Sequence, residues 1–170
     1  TCQLCGHSNL RYHFEIVNNK TQAYLQVGSS CIEQFGIRVY DKEGRELQGR
    51  ERKKQLELEI KVKKEDLVFA SLLELWKRSD KNREKVTVYT REYQEYGKFS
   101  PKNLFYLFQQ MNAQGIDYVP HTYIVTLRSK KDREYFYHMS KADRELIWGS
   151  LSTTQKKSYL KKKKEFDKKL

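Results

Sequence analysis

Thr1-Cys2-Gln3-Leu4-Cys5-Gly6 and Val27-Gly28-Ser29-Ser30-Cys31-Ile32 contain every cysteine of the chain. Two thiols three positions apart, with Leu4 before the second and Gly6 after it, form a knuckle that can turn both sulfurs toward one ion. A tetrahedral zinc site needs two further ligands. Cys31 is the expected third. His13 is the expected fourth, with His7 as the alternative, because zinc sets are usually completed by well-separated residues and His7 lies only two positions past Cys5. The competing reading is three free cysteines buried in a small core.

Working outward, Leu10 to Ile16 alternates apolar and polar residues, the period of a half-buried strand that would carry His13. Asn18 to Thr21 has turn chemistry, and Ala23 to Val27 supplies the returning strand. Ile32 to Phe35 then reads as a short helix capped by Ser30. Knuckle, hairpin and a helix with a ligand at its start make a treble-clef-like layout. The expected fold class is therefore α+β, mainly α: a small zinc finger over 1–40, a connector over 41–49, and a helical domain over 50–170. A head of roughly 40 residues is at the size where a core alone seldom suffices and a metal commonly supplies stability.

The head resembles a small zinc-binding domain found at the start of many phage and prophage proteins, mostly of unassigned role. Cys2-Gln-Leu-Cys5-Gly6, Leu10-Arg-Tyr12, Asn18 to Thr21 and Val27-Gly-Ser-Ser-Cys31-Ile32 carry that resemblance, over about the first 35 to 50 residues. In that group the strand histidine often falls one position later than His13. The resemblance implies a zinc finger-like head and a mobile-element origin, and it supplies no function.

Beyond the head the chain reads differently. Val39-Tyr40 and Arg45 to Leu47 can pair as a short hairpin around the turn at Asp41 to Gly44. Leu56, Leu58, Ile60 and Val62 alternate with charged residues, but the Glu, Lys and Leu content favours a helix over 50–78. Leu67, Val68, Leu72, Leu75 and Trp76 are its expected packing face. Ser100-Pro101 opens a helix with Leu104, Leu107, Phe108 and Met111 on one side, ended by Gly115. Ser140 starts another, with Leu146, Ile147 and Trp148 inward, and Ser152 to Gln155 is a capping box for the last helix. Residues 121–139 fit either strand or helix.

The chain of 170 residues carries a net charge of +12 with a pI near 9.5. Residues 1–40 are nearly neutral, whereas 156–170 hold eight lysines against Glu165 and Asp167. Such a balance makes nucleic acid or an anionic nucleoprotein the default partner, against the plainer reading of a solvated lysine tail. At 100° per residue Lys157, Lys161, Lys164 and Lys168 share a narrow arc, with Tyr159, Phe166 and Leu170 opposite. The ridge is roughly 28 Å long, enough to follow several phosphates. Lysine is a point charge that reads bases poorly, so weak sequence preference is expected. A second basic cluster comprises Arg50, Arg52, Lys53, Lys54, Lys61, Lys63 and Lys64. Tyr89, Tyr93, Tyr96, Tyr135 and Tyr137 read as packing residues before base-stacking ones.

No Gly-rich phosphate loop, Gly-x-Ser-x-Gly or His-Glu-x-x-His occurs, and His121 and His138 neighbour neither Cys nor carboxylate in a catalytic pattern. Asp132 with Glu134 and Asp143 with Glu145 read as solvated faces rather than nuclease ligands. No apolar run approaches a membrane span, and no secretory signal is apparent. The odd cysteine count favours a reducing compartment, and together with the phage resemblance this implies the cytoplasm of a bacterial host. The expected protein is non-enzymatic, holds structural Zn2+, and contacts DNA or RNA phosphates. The alternative is a small phage-encoded inhibitor of the anti-restriction or anti-CRISPR type that docks on a host nucleoprotein effector.

Overall fold

The computed structural model describes residues 1–8, 10, 12–78, 80 and 83–167, with side chains described as far as 162. The chain is mainly helical with small hairpins near its N-terminus, in agreement with the expected class. Its order is β1 (Phe14–Val17), β2 (Tyr24–Val27), α1 (Ser29–Gln34), β3 (Val39–Tyr40), β4 (Glu46–Leu47), α2 (Gly49–Arg78), α3 (Arg83–Tyr96), α4 (Pro101–Ala113), α5 (Lys130–His138), α6 (Lys141–Trp148) and α7 (Thr153–Asp167). It divides into two compact units, Thr1–Glu65 and Asp66–Leu170, so the boundary lies inside α2. The expected division was 1–40, 41–49 and 50–170, whereas the compact units meet at Glu65 and Asp66. Among the described residues, no helix is long and apolar enough to cross a membrane.

In the first unit β1 and β2 pair antiparallel with Phe14 opposite Val27 and Val17 opposite Tyr24. The turn between them is built by Asn18, whose side-chain oxygen accepts from the main-chain N–H groups of Lys20 and Thr21. β3 and β4 form the second hairpin, Val39 opposite Leu47. The interior contains Cys2, Phe14, Val27, Cys31, Ile32 and Leu56, with Leu10, Ile16 and Ile60 packed against them. Leu56 and Ile60 are four apart and share one face of a helix, while Leu58 and Val62 fall on the exposed face. An i, i+4 pair inside and an i+2 pair outside imitates strand alternation, which explains the ambiguity of this stretch. Arg52 ties α2 to α1 by donating to the carbonyl oxygens of Ile32 (2.5 Å) and Ile37 (3.1 Å).

The second unit is packed around aromatic rings. Phe108 stacks on Tyr118 at 4.2 Å between centroids and meets Tyr123 edge-on at 4.9 Å. Tyr93 stacks on Phe99, and Phe99 leans on Tyr123. Leu104, Leu107, Phe108 and Met111 of α4 are fully buried, as their spacing predicts. Val68, Leu72 and Leu75 of α2 are buried too, but Leu67 and Trp76 are 46% and 40% exposed, so the packing face is narrower than expected. The segment 121–139 combines both readings. Val125 forms a single parallel bridge with Phe99, and α5 then starts at Ser129, whose hydroxyl accepts from Asp132 N–H.

Helix starts follow local chemistry with two corrections. Ser152 and Gln155 form both halves of the capping box, at 2.7 and 3.2 Å, and Ser140 accepts from Asp143 N–H. Ser100 precedes α4 as expected, but its side chain makes no capping bond. The Glu92 carboxylate accepts from Ser100 N–H and from the Asn103 amide instead. In α1 the cap position belongs to Gly28, which places Ser30 inside the helix rather than at its start.

Candidate metal centre

The cysteines converge because three local structures share one corner of the first unit. The knuckle is closed by Cys2 N–H donating to His7 O (2.8 Å) and Gly6 N–H donating to Cys2 O (2.9 Å). Gly6 has φ +74°, a conformation that glycine adopts without penalty and that turns the chain directly after Cys5. Gln3 fastens the knuckle to β2: its N–H donates to Gln26 O, and its side-chain oxygen accepts from Gln26 N–H. β2 leads into Gly28 and then α1, which brings Cys31 in its first turn. An added Cβ at Gly28 would lie 2.8 Å from Leu10 Cδ2, so a side chain there would push Leu10 away.

Cys2 and Cys31 are 1% and 4% exposed, whereas Cys5 is exposed. The Sγ atoms of Cys2 and Cys31 are 3.5 Å apart, those of Cys31 and Cys5 are 3.2 Å apart, and all three lie within 4.8 Å of one another. This is the geometry of donors aimed at a common point. Burial pushes the Cys2 thiol up, but main-chain hydrogen bonds from Gly28, Cys5 and Leu4 and the side chain of Cys31 outweigh it and lower it to about 6. Cys31 is pushed up to about 12, first by its hydrogen bond to Cys5 and then by burial. Sulfurs this close disfavour a second negative charge beside the first. A divalent cation reverses that balance, because it favours the deprotonated form of each ligand.

The donor set fits a thiophilic ion of the zinc class. Three ligands are present. Among the described residues, no His, Asp or Glu joins the sulfurs. His13 lies one position before β1 rather than within it, and both His13 and His7 are exposed. The structure therefore brings together Cys2, Cys5 and Cys31 and leaves His13 outside their group. Gly28 and Gln3 are the contributors that sequence reasoning passed over. The signal for Gly28 was its place three residues before Cys31; Gln3 gave no signal beyond its position between two cysteines.

The basic residues divide by role. Lys157 and Lys161 are exposed on α7, while Tyr159 on the other side packs against Phe136, Tyr137 and Trp148. The main chain of Lys164 lies in α7 and its side chain is beyond the described ones, as is that of Phe166; Lys168 and Leu170 lie outside the described residues. Much of the second cluster is occupied within its own unit. Lys63 sits 5.3 Å over Phe14, Lys64 5.8 Å over Tyr12, Lys61 pairs with Glu65, and Arg52 holds the α1 carbonyls. Of the tyrosines, Tyr89 and Tyr93 are buried and Tyr96 is 62% exposed. A surface groove of about 520 Å³ between α2 and α3 includes Leu73, Trp76, Val86 and Arg91, with no carboxylate or imidazole in its lining.

Compared with known proteins, the chain matches no family model, no curated protein and no solved structure. What the fold and the site define is a mainly helical protein with a cysteine group near its N-terminus close enough to bind a metal.

Proposed function

We propose that this is a zinc-containing, non-enzymatic nucleic-acid-binding protein of mobile-element origin, with a treble-clef-like head folded by its ion and a basic face on α7 that contacts phosphates. The reading is carried by the rotation of α7. Tyr159 is anchored against Phe136, Tyr137 and Trp148, and this turns Lys157 and Lys161 toward solvent. The sequence period groups Lys164 and Lys168 with them, an expectation that falls outside the described side chains. The chain's net charge of +12 supports an anionic partner. Zinc in this reading is structural and supplies folding free energy to a head with few buried residues.

Four lysines that each neutralise one phosphate give a log–log salt slope of about −3 to −4. Gel retardation of DNA and RNA over a salt series tests this. The quadruple change of Lys157, Lys161, Lys164 and Lys168 to Gln should weaken binding and flatten the slope toward zero. Parent protein that retards neither nucleic acid at low salt contradicts the reading. Parent and quadruple variant with the same slope place the contacts elsewhere.

A further inference from the structure

We propose that the ion at Cys2, Cys5 and Cys31 is held by three sulfurs of this chain and takes its fourth ligand from outside it, as an exchangeable thiol or imidazole donor. The inference rests on the reading that this group binds a metal, and it goes beyond that reading by assigning an open coordination position.

The argument starts from where the imidazoles are held. Phe14 follows His13 directly, is buried, and pairs with Val27 at the first register position of the hairpin. His13 itself lies before the strand and is exposed. His7 is fixed differently. Its carbonyl oxygen accepts the Cys2 N–H that closes the knuckle, and its side chain is exposed. Neither ring belongs to the sulfur group, and both are exposed.

The sulfurs themselves are not equally covered. Cys2 and Cys31 are buried and Cys5 is exposed, so one side of the trio faces solvent. A tetrahedral ion on three protein ligands keeps its fourth direction for water or an incoming donor. Thiolate surroundings select a soft or borderline ion, and such an ion exchanges water for thiols and imidazoles. Three thiolates on a divalent ion leave a charge of −1, which a neutral imidazole does not raise.

The test uses the full chain loaded with cobalt(II), whose ligand-field spectrum reports its coordination. Imidazole and 2-mercaptoethanol are titrated separately into the loaded protein, and His13→Gln and His7→Gln are compared with the parent. The proposal predicts a saturable spectral shift with at least one donor. It also predicts that each variant binds cobalt within about tenfold of the parent, at or below the ~10–100-fold loss typical of an outer-shell partner. Shifts with both donors or with one separate a general open position from a thiol- or imidazole-selective one, and either supports the inference. A spectrum unmoved by both donors, or a larger loss in either variant, overturns it while leaving metal binding intact. Parent protein that takes up neither cobalt nor zinc overturns the metal reading beneath it.

Discussion

The two units differ in what fills them. Among the described residues, the buried cluster of the first contains six side chains, two of them cysteines, and that of the second contains nineteen, rich in Phe and Tyr. Rings that stack and meet edge-on bury large areas and add about 0.5–1.5 kcal/mol per pair beyond that burial. The second unit can thus be stabilised by packing alone. The first has too few apolar side chains for that, and two of its most buried positions hold thiols. On the proposed reading the same chain draws on two sources of stability, a chelatable ion in the first unit and aromatic packing in the second.

The largest effect that can break this comparison is loss of the ion. Structural zinc contributes on the order of 10–16 kcal/mol in isolated fingers. Cys5→Ser, or chelation of the parent, should therefore abolish folded signals from Thr1–Glu65 while those of the second unit persist in an amide NMR spectrum. Simultaneous loss in both units would erase the distinction. Next comes Phe108→Ala, which removes a ring stacked on Tyr118 and edge-on to Tyr123. It should cost about 3–5 kcal/mol in urea unfolding of the second unit, with bound metal unchanged. A parallel loss of metal would show that the two sources of stability are not separable.

A smaller effect comes from alkali. Burial pushes Tyr123 up to about 12, against roughly 10 in the unfolded chain. Between these values the unfolded state has released the phenolic proton and the folded state retains it. Stability of the second unit should then fall with rising pH, by about 1.4 kcal/mol per pH unit. Tyr123→Phe should flatten that slope in pH-dependent denaturation curves, and an unaltered slope would assign it to another group. The smallest expected change belongs to Arg52→Ala. It removes charge-assisted bonds to the Ile32 and Ile37 carbonyls and should destabilise the metal-loaded first unit by about 1.5 kcal/mol, measured by its hydrogen exchange.

Much of this organisation was legible in the residues, where local chemistry and tertiary structure agree. The Cys2-x-x-Cys5 knuckle, the Asn18 turn, the buried stripe of α4 and the reciprocal Ser152–Gln155 cap all depend on neighbours within a few positions. What escaped was set by distant partners. Glu92, eight residues upstream, holds the Ser100 N–H that precedes α4, and Gly28 rather than Ser30 occupies the cap position of α1. Trp76 had the right spacing to be buried but instead carries Arg83 against its ring at 4.3 Å, facing the groove. His13 lies one position before β1 and outside the sulfur group.

The central claim is that an ion bound by Cys2, Cys5 and Cys31 organises the first unit. Elemental analysis of the purified chain, coupled to thiol titration before and after chelation, tests it most directly. The account predicts one zinc per chain and thiols that react slowly until a chelator releases the metal. Absence of stoichiometric metal, with all three thiols reacting at once in a folded protein, would contradict it.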